Sequence, residues 1–480
     1  MNAVATLEDR LGRQQAVQAA RTGLATHAGI WIVGGAVRDA LLAPGVVADL
    51  DLVVPGADAA DAARAIAKSV RRAAFPLSEE FGAWRVVGDG WLCDLTPIQG
   101  DGIDDDLELR DFTVNAMALP LFGGALVDPY DGVEDLGRRT LRLVRPDAYE
   151  RDPLRPLRLV RFATELGFEV DPETARATRD WAWRVRDAAG ERVFAELRRI
   201  VVAPAAPEGL ALASELGVLD AVLPELDRLH GIEQSHFHHL DVYDHTIAVL
   251  NGLVEIDTHL TEYFPDDAAT LRGVLDEPLG DELTRAQALR FAALLHDIGK
   301  ADTRRLTDSG RVTFIGHDAL GADMVRKLCV RLRTSERVRE FIARITRHHL
   351  VLGFLVHERP LSKRAVYRYL KLCSPVEVEV TLLTCADRIA TRGRNAEAAI
   401  EAHLELARDL MSAALAWRRE GPPRAPLRGD ELAEELGIDP GPDLGRLISE
   451  LEEASYAGEV TNADQAVEYA RRLRENSAQT

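Results

Sequence analysis

Hydrophobic and polar positions alternate in two different ways along the chain. Over roughly the first 130 residues, short apolar runs typical of β-strands are interspersed with longer amphipathic stretches typical of helices. From about residue 140 onward, the apolar positions follow a helical period almost throughout. The pattern predicts an α+β head followed by an all-α remainder. The predicted elements of the head are helices over 6–26 and roughly 58–74, and strands over Gly29–Val33, Asp49–Val54, Trp84–Val87 and Trp91–Leu95.

Proline- and glycine-rich segments mark candidate domain boundaries. A chain of 480 residues is too long for one hydrophobic core, so several packed units are expected. Breaks fall at Pro129–Gly137, near Gly231 and within EGPPRAPLRGD at 420–430. We predict four domains: a head over 1–138, a helical neck over 139–230, a second helical domain over 231–400 and a helical tail over 401–480.

Two aspartates share one face of the second predicted strand. Asp49 and Asp51 are separated by one residue, and side chains at positions i and i+2 of a strand point to the same face. Neighbouring carboxylates repel each other unless cations lie between them, and phosphoryl transfer with two metal ions requires such a pair. The pattern predicts a catalytic pair that binds Mg²⁺, although two exposed aspartates at a strand end have the same spacing.

The flanking residues favour the catalytic interpretation. Gly34 and Gly35 follow the first strand and precede a helical pattern. Glycines there allow close approach of a ligand, and N–H groups at a helix start favour phosphate. Arg38 is then placed to reach the β- and γ-phosphates of a nucleotide. Asp94, on a later strand, is a candidate third carboxylate or an ordinary strand-end cap.

A series of segments in fixed order resembles one known family. The segments are GGAVRDALL with DLDLVV, then LRDFTVNAMAL, DPYDGVEDL, RDPLRPLRLVRFATELGFEV and GERVFAEL. They closely resemble the bacterial class II tRNA nucleotidyltransferase and poly(A) polymerase family. The resemblance implies a polymerase-β-like nucleotidyltransferase head, followed by a helical neck that binds RNA.

The resemblance also implies nucleotide-binding roles for polar residues in LRDFTVNA. Arg110, Asp111 and Asn115 are expected as polar groups within an otherwise apolar helix. In the family, such residues read the sugar 2′-hydroxyl and support the triphosphate. Hydrogen-bonding groups that hold a hydroxyl strongly reject a ligand that lacks it.

A second nucleotide-binding segment is RDPLR, in which Asp152 and Arg155 are expected to share one face of a helix. In the family, this pair acts as an amino-acid template that selects CTP and ATP over UTP and GTP. Arg158 is expected to contact the nucleotide as well. The sequence departs from the family pattern at Arg151, where a Glu is usual, and at Leu109, where an Arg is frequent.

A histidine–aspartate constellation lies in the second helical domain and consists, in chain order, of His245, His296, Asp297, His317, His348 and Asp387. A buried His–Asp pair in an apolar helix is costly unless it is paired or bound to metal. The order of these residues resembles the HD phosphohydrolase superfamily, and imidazole with carboxylate suits Mg²⁺ or a divalent transition metal. Phosphohydrolase activity is a separate expectation from metal binding. The resemblance implies one metal ion on His245, His296, Asp297 and Asp387, and a second on His317 and His348.

Charge and composition add three expectations. The net charge is −20, but the stretch from Arg138 to Arg161 has eight arginines against three acidic residues. This stretch is a candidate surface for tRNA phosphates, or a solvated helix face. Apolar runs are too short to span a membrane, and the first residues lack the apolar core of a signal peptide. Four scattered cysteines without CxxC spacing favour the cytoplasm.

Three functional hypotheses follow. The first is addition or repair of CCA at the 3′ end of tRNA, from CTP and ATP, without a nucleic-acid template. The second keeps the chemistry but changes the product, as in a poly(A) polymerase or a partial CC- or A-adding enzyme. The third is an HD-type phosphohydrolase whose head only binds RNA. The sequence makes no prediction of oligomeric state.

Overall fold

The chain forms two compact units that follow each other in sequence. The computed structural model describes residues 3–43, 45, 48–56, 59–78, 82–234, 240–391 and 396–478. The first unit is Met1–Val222 and the second is Leu223–Thr480. The four predicted domain ranges stay predictions.

The first unit contains a six-stranded mixed sheet with strand order β3-β4-β5-β2-β1-β6. Strand β2 is parallel to β5, and the other neighbours are antiparallel. The strands are β1 (Trp31–Val33), β2 (Asp49–Val54), β3 (Ala74–Ser78), β4 (Ala83–Val87), β5 (Leu92–Pro97) and β6 (Ala118–Pro120), with a separate pair of β7 (Thr140–Leu141) and β8 (Glu169–Val170).

The sheet agrees with the predicted strands and adds two more, β3 and β6. Strand β2 has the predicted bounds, and the other predicted strands begin or end within two residues of β1, β4 and β5. Strand β3 was not predicted because Pro76 interrupts its alternating pattern. A proline is tolerated there because β3 lies at the edge of the sheet. Strand β6 has only three residues.

The helices of the first unit cover the sheet and continue into the neck. They are α1 (Ala3–Gly12), α2 (Gln15–Gly23), α3 (Gly35–Leu42), α4 (Ala59–Val70), α5 (Ile103–Glu108), α6 (Gly132–Arg138), α7 (Ala148–Arg151), α8 (Arg155–Leu166), α9 (Pro172–Trp181), α10 (Gly190–Val202), α11 (Ala206–Glu215) and α12 (Val218–Val222). Two 3₁₀ turns occupy Thr113–Asn115 and Ala182–Asp187.

The single helix predicted over 6–26 was wrong, because the structure has two helices there. Gln14 is extended (φ −73°, ψ 135°) and separates α1 from α2. The break lets both helices bury an apolar face, with Leu11 on α1 and Val17 on α2 fully buried. The helix predicted at roughly 58–74 spans Ala59–Val70, and position 58 lies outside the described residues.

The second unit is helical, as predicted, with two small hairpins. Its helices are α13 (Pro224–Asp227), α14 (Val242–Thr258), α15 (Leu260–Tyr263), α16 (Ala268–Leu275), α17 (Arg285–Leu295), α18 (Lys300–Thr303), α19 (His317–Arg331), α20 (Glu336–His348), α21 (Val351–Leu355), α22 (Lys363–Cys373), α23 (Glu377–Ala390), α24 (Ala396–Glu420), α25 (Gly429–Leu436), α26 (Pro442–Ala457) and α27 (Ala463–Ala478). A 3₁₀ turn occupies Val356–Glu358, and the hairpin strands are β9 (Pro278–Gly280), β10 (Leu283–Thr284), β11 (Arg305–Leu306) and β12 (Val312–Thr313).

Two groups of helices form the interior of the second unit. Helix α14 packs on α17 and α23, and α20 packs on α17 and α19. The last three helices have an apolar cluster of their own, which includes Leu432, Leu447 and Leu451. No described helix combines the length and the apolar character that crossing a bilayer requires.

Close packing of α2 on α4 depends on Gly23. A β-carbon at this position would lie 2.6 Å from the Cα and 2.8 Å from the backbone N of Ile66. Because the obstructing atoms belong to the backbone, the two helices would have to separate. Ile66 itself is fully buried against the sheet.

We expect Gly23→Ala to destabilise the head by about 1–3 kcal/mol, because overpacking forces a backbone shift. Urea denaturation followed by tryptophan fluorescence measures this, since five of the six tryptophans lie in the first unit. Gly137→Ala is the matched control: a β-carbon there meets nothing within 4 Å, so stability should stay the same or rise slightly. Equal stability of both variants would contradict this packing.

Candidate functional site

Three carboxylates meet on neighbouring strands of the head. Asp49 and Asp51 lie on β2, and Asp94 lies directly opposite Asp51 on β5. Burial raises the pKa of Asp51; Arg110 opposes this increase. Asp94 and Asp49 raise the pKa of Asp51 further by repulsion. A cation stabilises the ionised form of a half-buried carboxylate that neighbouring carboxylates repel.

Asp94 differs from the other two because an arginine already neutralises it. Arg85 on β4 donates two hydrogen bonds to its carboxylate, both of 2.7 Å. The hydrogen bond with Asp94 raises the pKa of Arg85, although burial opposes the increase. The role of Asp94 as a third catalytic carboxylate stays a prediction.

The glycine turn before α3 is built as the sequence predicts. Gly34 has a φ of 67°, a left-handed conformation that favours glycine. A β-carbon there would lie 3.1 Å from Arg110 Nη1 and 3.5 Å from Asp51 Oδ2. The turn therefore brings backbone close to the acidic pair, and Gly35 begins α3 immediately afterwards.

A chain of buried polar contacts runs from α3 to the neck. Arg38 Nη1 donates to Asn115 Oδ1 at 2.7 Å, and Asn115 Nδ2 donates to Asp111 Oδ1 at 3.1 Å. Arg158 on α8 donates to Asp111 Oδ2 at 2.8 Å and approaches Glu196 at 3.4 Å. Burial alone would raise the pKa of Asp111, but Arg158 and Asn115 hold it below its ordinary value.

The helix expected around Arg110, Asp111 and Asn115 was wrong, because only a 3₁₀ turn over Thr113–Asn115 forms. The Asp111 carboxylate accepts a hydrogen bond of 2.8 Å from the backbone N–H of Phe112. Such local side-chain hydrogen bonds compete with helix formation. The three polar residues nevertheless line one cavity.

The prediction that Asp152 and Arg155 share one face of a helix was also wrong. Asp152 is extended (φ −144°, ψ 111°), and α8 begins at Arg155. Pro153 explains the difference, because a residue before proline is disfavoured in the helical conformation. Asp152 pairs with Arg192 at 2.8 Å, and Arg155 donates to the carbonyl oxygen of Leu109 at 2.5 Å.

One cavity of about 760 Å³ in the first unit collects most of the predicted residues. Asp94 does not line it in the described part of the chain. The cavity also includes Arg161, Phe162 and Arg199, of which the arginine-rich stretch signalled only Arg161. The predicted residues in its lining are Gly34, Gly35, Arg38, Asp49, Asp51, Arg110, Asp111, Asn115, Asp152, Arg155 and Arg158.

The second unit holds a buried histidine–aspartate cluster. His245 Nε2 lies 3.0 Å from Asp387 Oδ1, and His296 Nε2 lies 3.1 Å from Asp297 Oδ2. His317 Nε2 lies 3.3 Å from Asp297 Oδ1. Helices α14, α17, α19 and α23 therefore bring together residues that are far apart in sequence.

The prediction of His348 as the last histidine of this cluster was wrong, because His349 occupies the position. His349 Nε2 lies 3.7 Å from Asp297 Oδ1 and 3.3 Å from His317 Nε2. His348, at the end of α20, lines a neighbouring cavity instead, because successive helical residues point about 100° apart. Burial and the nearby Arg347 lower the pKa of His348.

The donor set of the cluster fits divalent metal ions. The Nδ1 atoms of His296, His317 and His349 each lie 2.7 Å from the carbonyl oxygen three residues earlier, which directs Nε2 toward Asp297. Among the described residues, His296 Nε2 and both Asp297 carboxylate oxygens are buried without a hydrogen bond of good geometry. Lys300 Nζ nevertheless lies 2.7 Å from Asp297 Oδ2. Two sets of three ligand atoms are close enough to hold an ion, each including Asp297.

Comparison with known proteins places the chain in a family. Three family models match: the poly A polymerase head domain over 94–142, the probable RNA and SrmB-binding site of polymerase A over 167–229, and the HD domain over 242–392. The A-adding tRNA nucleotidyltransferase of Deinococcus radiodurans is 38% identical over 456 residues, which cover 94% of this chain and 96% of that protein. The chain belongs to the tRNA nucleotidyltransferase family. The predicted resemblance is confirmed.

Other tRNA nucleotidyltransferases of the family are similar over most of their length. The CC-adding enzyme of Thermus thermophilus is 34% identical, over 90% of this chain and 91% of its own. A solved CCA-adding enzyme with ATP superposes with a TM-score of 0.63 at 18% identity, covering 95% of this chain and 94% of its own. A Thermotoga maritima CCA-adding enzyme complexed with tRNA gives 0.60 at 18% identity, covering 98% of both chains. The structural likeness confirms the fold class.

We expect Asp111→Asn to lower the free energy of unfolding of this tRNA nucleotidyltransferase by about 3 kcal/mol at pH 7, because Arg158 loses its buried partner. Since folding lowers the pKa of Asp111, its contribution is present above the unfolded pKa and is lost as the pH falls below about 4. Urea denaturation from pH 8 to pH 3 measures the difference. A difference that already shrinks between pH 8 and pH 6 would contradict the pairing.

We also expect His349→Ala to weaken metal binding in the second unit at least about tenfold, because it removes a donor beside Asp297. His348→Ala is the matched control and should bind metal like the unaltered protein. Metal content after dialysis against limiting Mn²⁺ measures both. The reverse result would restore the assignment made from the sequence.

Proposed function

We propose that the chain adds CMP and AMP, from CTP and ATP, to the 3′ end of tRNA without a nucleic-acid template. The observation that carries this proposal is the arrangement of the head cavity. Asp49 and Asp51 lie on one side, and the arginines of α8 line the same space of about 760 Å³. Membership of the family and the names of its relatives support the same activity.

Asp49 and Asp51 are proposed to hold divalent ions, with Mg²⁺ as the expected ion. Bound there, the ions supply Lewis-acid activation of the RNA 3′-hydroxyl and charge compensation for the triphosphate. The chain fits this role because Asp51 is half-buried, whereas Asp49 is exposed, and both line the cavity. One carboxylate is thereby fixed by its surroundings, and the other remains open to the incoming substrate.

The triphosphate is proposed to lie along the start of α3. Gly34 leaves space beside Asp51, and Gly35, the first residue of α3, lines the same cavity, so this helix start is available to phosphate. Arg38 is positioned there by its hydrogen bond with Asn115 and by Asp39 at 2.7 Å. A guanidinium held in this way can balance the charge of the pyrophosphate leaving group.

Base selection is proposed to depend on Asp152 and Arg155. Arg192 pairs with Asp152, and the Arg155 guanidinium is anchored on backbone carbonyl oxygens. Arg151, which replaces the usual Glu, is 3.4 Å from Asp147. The residues that orient the template pair are therefore proposed to come from α10 and from the segment around Leu109, rather than from position 151.

Partial addition is a second candidate, favoured by the relatives. The protein that is 38% identical over 94% of this chain is A-adding, and the one that is 34% identical over 90% is CC-adding. Each would use the same cavity and the same carboxylates. The two candidates differ only in the nucleotides that are incorporated.

The histidine–aspartate cluster is proposed to give the chain a second, phosphohydrolase activity with Mg²⁺ or a divalent transition metal. His245, His296, Asp297 and Asp387 would hold one ion, and His317 with His349 a second. The ions would supply a nucleophilic hydroxide and neutralise the phosphoryl oxygens. Lys300 is placed to compensate charge on Asp297.

A cytoplasmic location is also proposed, in keeping with a tRNA substrate. All four cysteines are buried and free rather than paired in disulfides. A reducing compartment suits this state.

We expect Asp51→Asn to lower nucleotide incorporation at least about 1,000-fold without loss of folding, because the metal-binding pair is broken. Asp89→Asn is the matched control, since Asp89 is an exposed head aspartate that pairs with Arg72. Incorporation of labelled nucleotide into tRNA lacking its 3′ end measures both. Full activity of Asp51→Asn would overturn the site assignment.

The product is decided by offering the same tRNA each nucleoside triphosphate alone and then in combination. Addition that stops after C, C and A supports full CCA synthesis. A requirement for tRNA that already ends in CC supports A-addition, and arrest after two C residues supports CC-addition. Long A tails on unrelated RNA would instead identify a poly(A) polymerase.

A further inference from the structure

A cavity of about 410 Å³ opens onto the histidine–aspartate cluster. Asp297, His317, His349 and Asp387 line it. Its lining also contains basic residues that the sequence patterns did not single out. These are Lys300, His357, Arg388 and His403.

Two of the basic residues have buried nitrogen atoms that face no acceptor among the described residues. His403, on α24, is only 5% exposed, and its Nε2 atom has no hydrogen-bond partner in that part of the chain. Arg388 Nε, next to Asp387 on α23, is in the same state. Buried donors without partners cost free energy, so they point to a ligand that the cavity accepts.

The hydroxyl groups nearby do not serve these nitrogens. Thr384 donates to the carbonyl oxygen of Thr381 at 2.9 Å, and Thr391 donates to that of Asp387 at 2.9 Å. Both hydroxyl protons are used in this way, and neither hydroxyl oxygen accepts a hydrogen bond from Arg388 Nε or His403 Nε2. Arg388 Nε and His403 Nε2 therefore lack an acceptor in the described part of the chain, and a molecule in the cavity can supply one.

The charge balance of the cavity identifies the kind of molecule. Asp297 and Asp387 carry two negative charges, and Lys300 with Arg388 offsets them. Divalent ions on the cluster would leave the cavity strongly positive. An anion with several acceptor oxygens, such as a phosphoryl group, fits such a site only when metal is present.

We propose that Arg388 and His403 form a binding subsite for the phosphoryl oxygens of a phosphate monoester that do not face the metal ions. The subsite rests on the proposed phosphohydrolase function of the cluster. Arg388 contributes charge-assisted hydrogen bonds, and His403 donates one from Nε2. Both are positioning residues for the substrate and are not metal ligands.

The test measures binding of inorganic phosphate to the full chain by isothermal titration calorimetry, with and without Mn²⁺. All proteins carry Asp51→Asn, so that the head pair contributes little metal. Arg388→Gln and His403→Gln should each weaken phosphate binding about tenfold, as expected for one lost charge-assisted hydrogen bond, while Mn²⁺ content stays the same. Arg388→Lys should recover part of the affinity.

Two exposed residues of the second unit provide matched controls. Arg368 is 67% exposed, and His259 is exposed at the end of α14. Arg368→Gln and His259→Gln should leave phosphate affinity unchanged. Circular dichroism and thermal denaturation identify any variant that fails to fold, in which case Arg388→Lys and His403→Asn replace it.

Each remaining outcome has one meaning. Unchanged phosphate affinity in both variants, with metal bound, overturns the subsite but leaves the proposed phosphohydrolase function standing. Loss of Mn²⁺ in the His403 variant makes this residue part of the metal site and also overturns the subsite. No phosphate binding by the metal-loaded parent protein contradicts the phosphohydrolase function itself.

Discussion

The pairing of the buried Asp111 carboxylate with Arg158 is the interaction on which the head site depends. An ionised carboxylate away from water is tolerated only when donors surround it, and Arg158, Asn115 and the Phe112 N–H supply them. Together with the hydrogen bond between Arg38 and Asn115, these contacts connect α3, which follows the glycine pair, to α8. Arg38 is held at the far end of this chain through Asn115. The buried charge pair thus connects residues that line the head cavity.

Two kinds of buried or half-buried carboxylate can be distinguished by their partners. Asp111 is buried and Asp94 half-buried, and arginines neutralise both, so protein contacts alone account for their environment. Asp51 is repelled by its acidic neighbours, and the oxygens of Asp297 lack well-formed hydrogen bonds among the described residues. The second kind is stabilised by cations. This physical difference separates supporting residues from candidate metal ligands in both units.

The two proposed metal sites are built on different architectures. In the head, neighbouring strands place Asp51 and Asp94 side by side through parallel pairing. In the second unit, ends and faces of several helices supply the candidate ligands, and backbone carbonyl oxygens orient three of the histidine rings. A strand pair sets carboxylate spacing by its register, whereas the helical cluster depends on how the helices pack.

Local patterns in the sequence determined the elements and most of the chemistry. Strand β2 with Asp49 and Asp51, the glycine turn and the ordered motifs all rest on the periods and conformational preferences of short segments, so they could be predicted. The predicted helices around Asp111 and Asp152 were wrong because local interactions compete with helix formation there. Asp152 precedes Pro153, and the Asp111 carboxylate accepts a hydrogen bond from the backbone N–H of Phe112. Only the tertiary structure decided that His349 rather than His348 faces Asp297, that Arg85 neutralises Asp94, and that Arg388 and His403 enter the second cavity. These facts depend on helix rotation and strand neighbours, which bring together residues far apart in sequence and leave no trace in the local pattern.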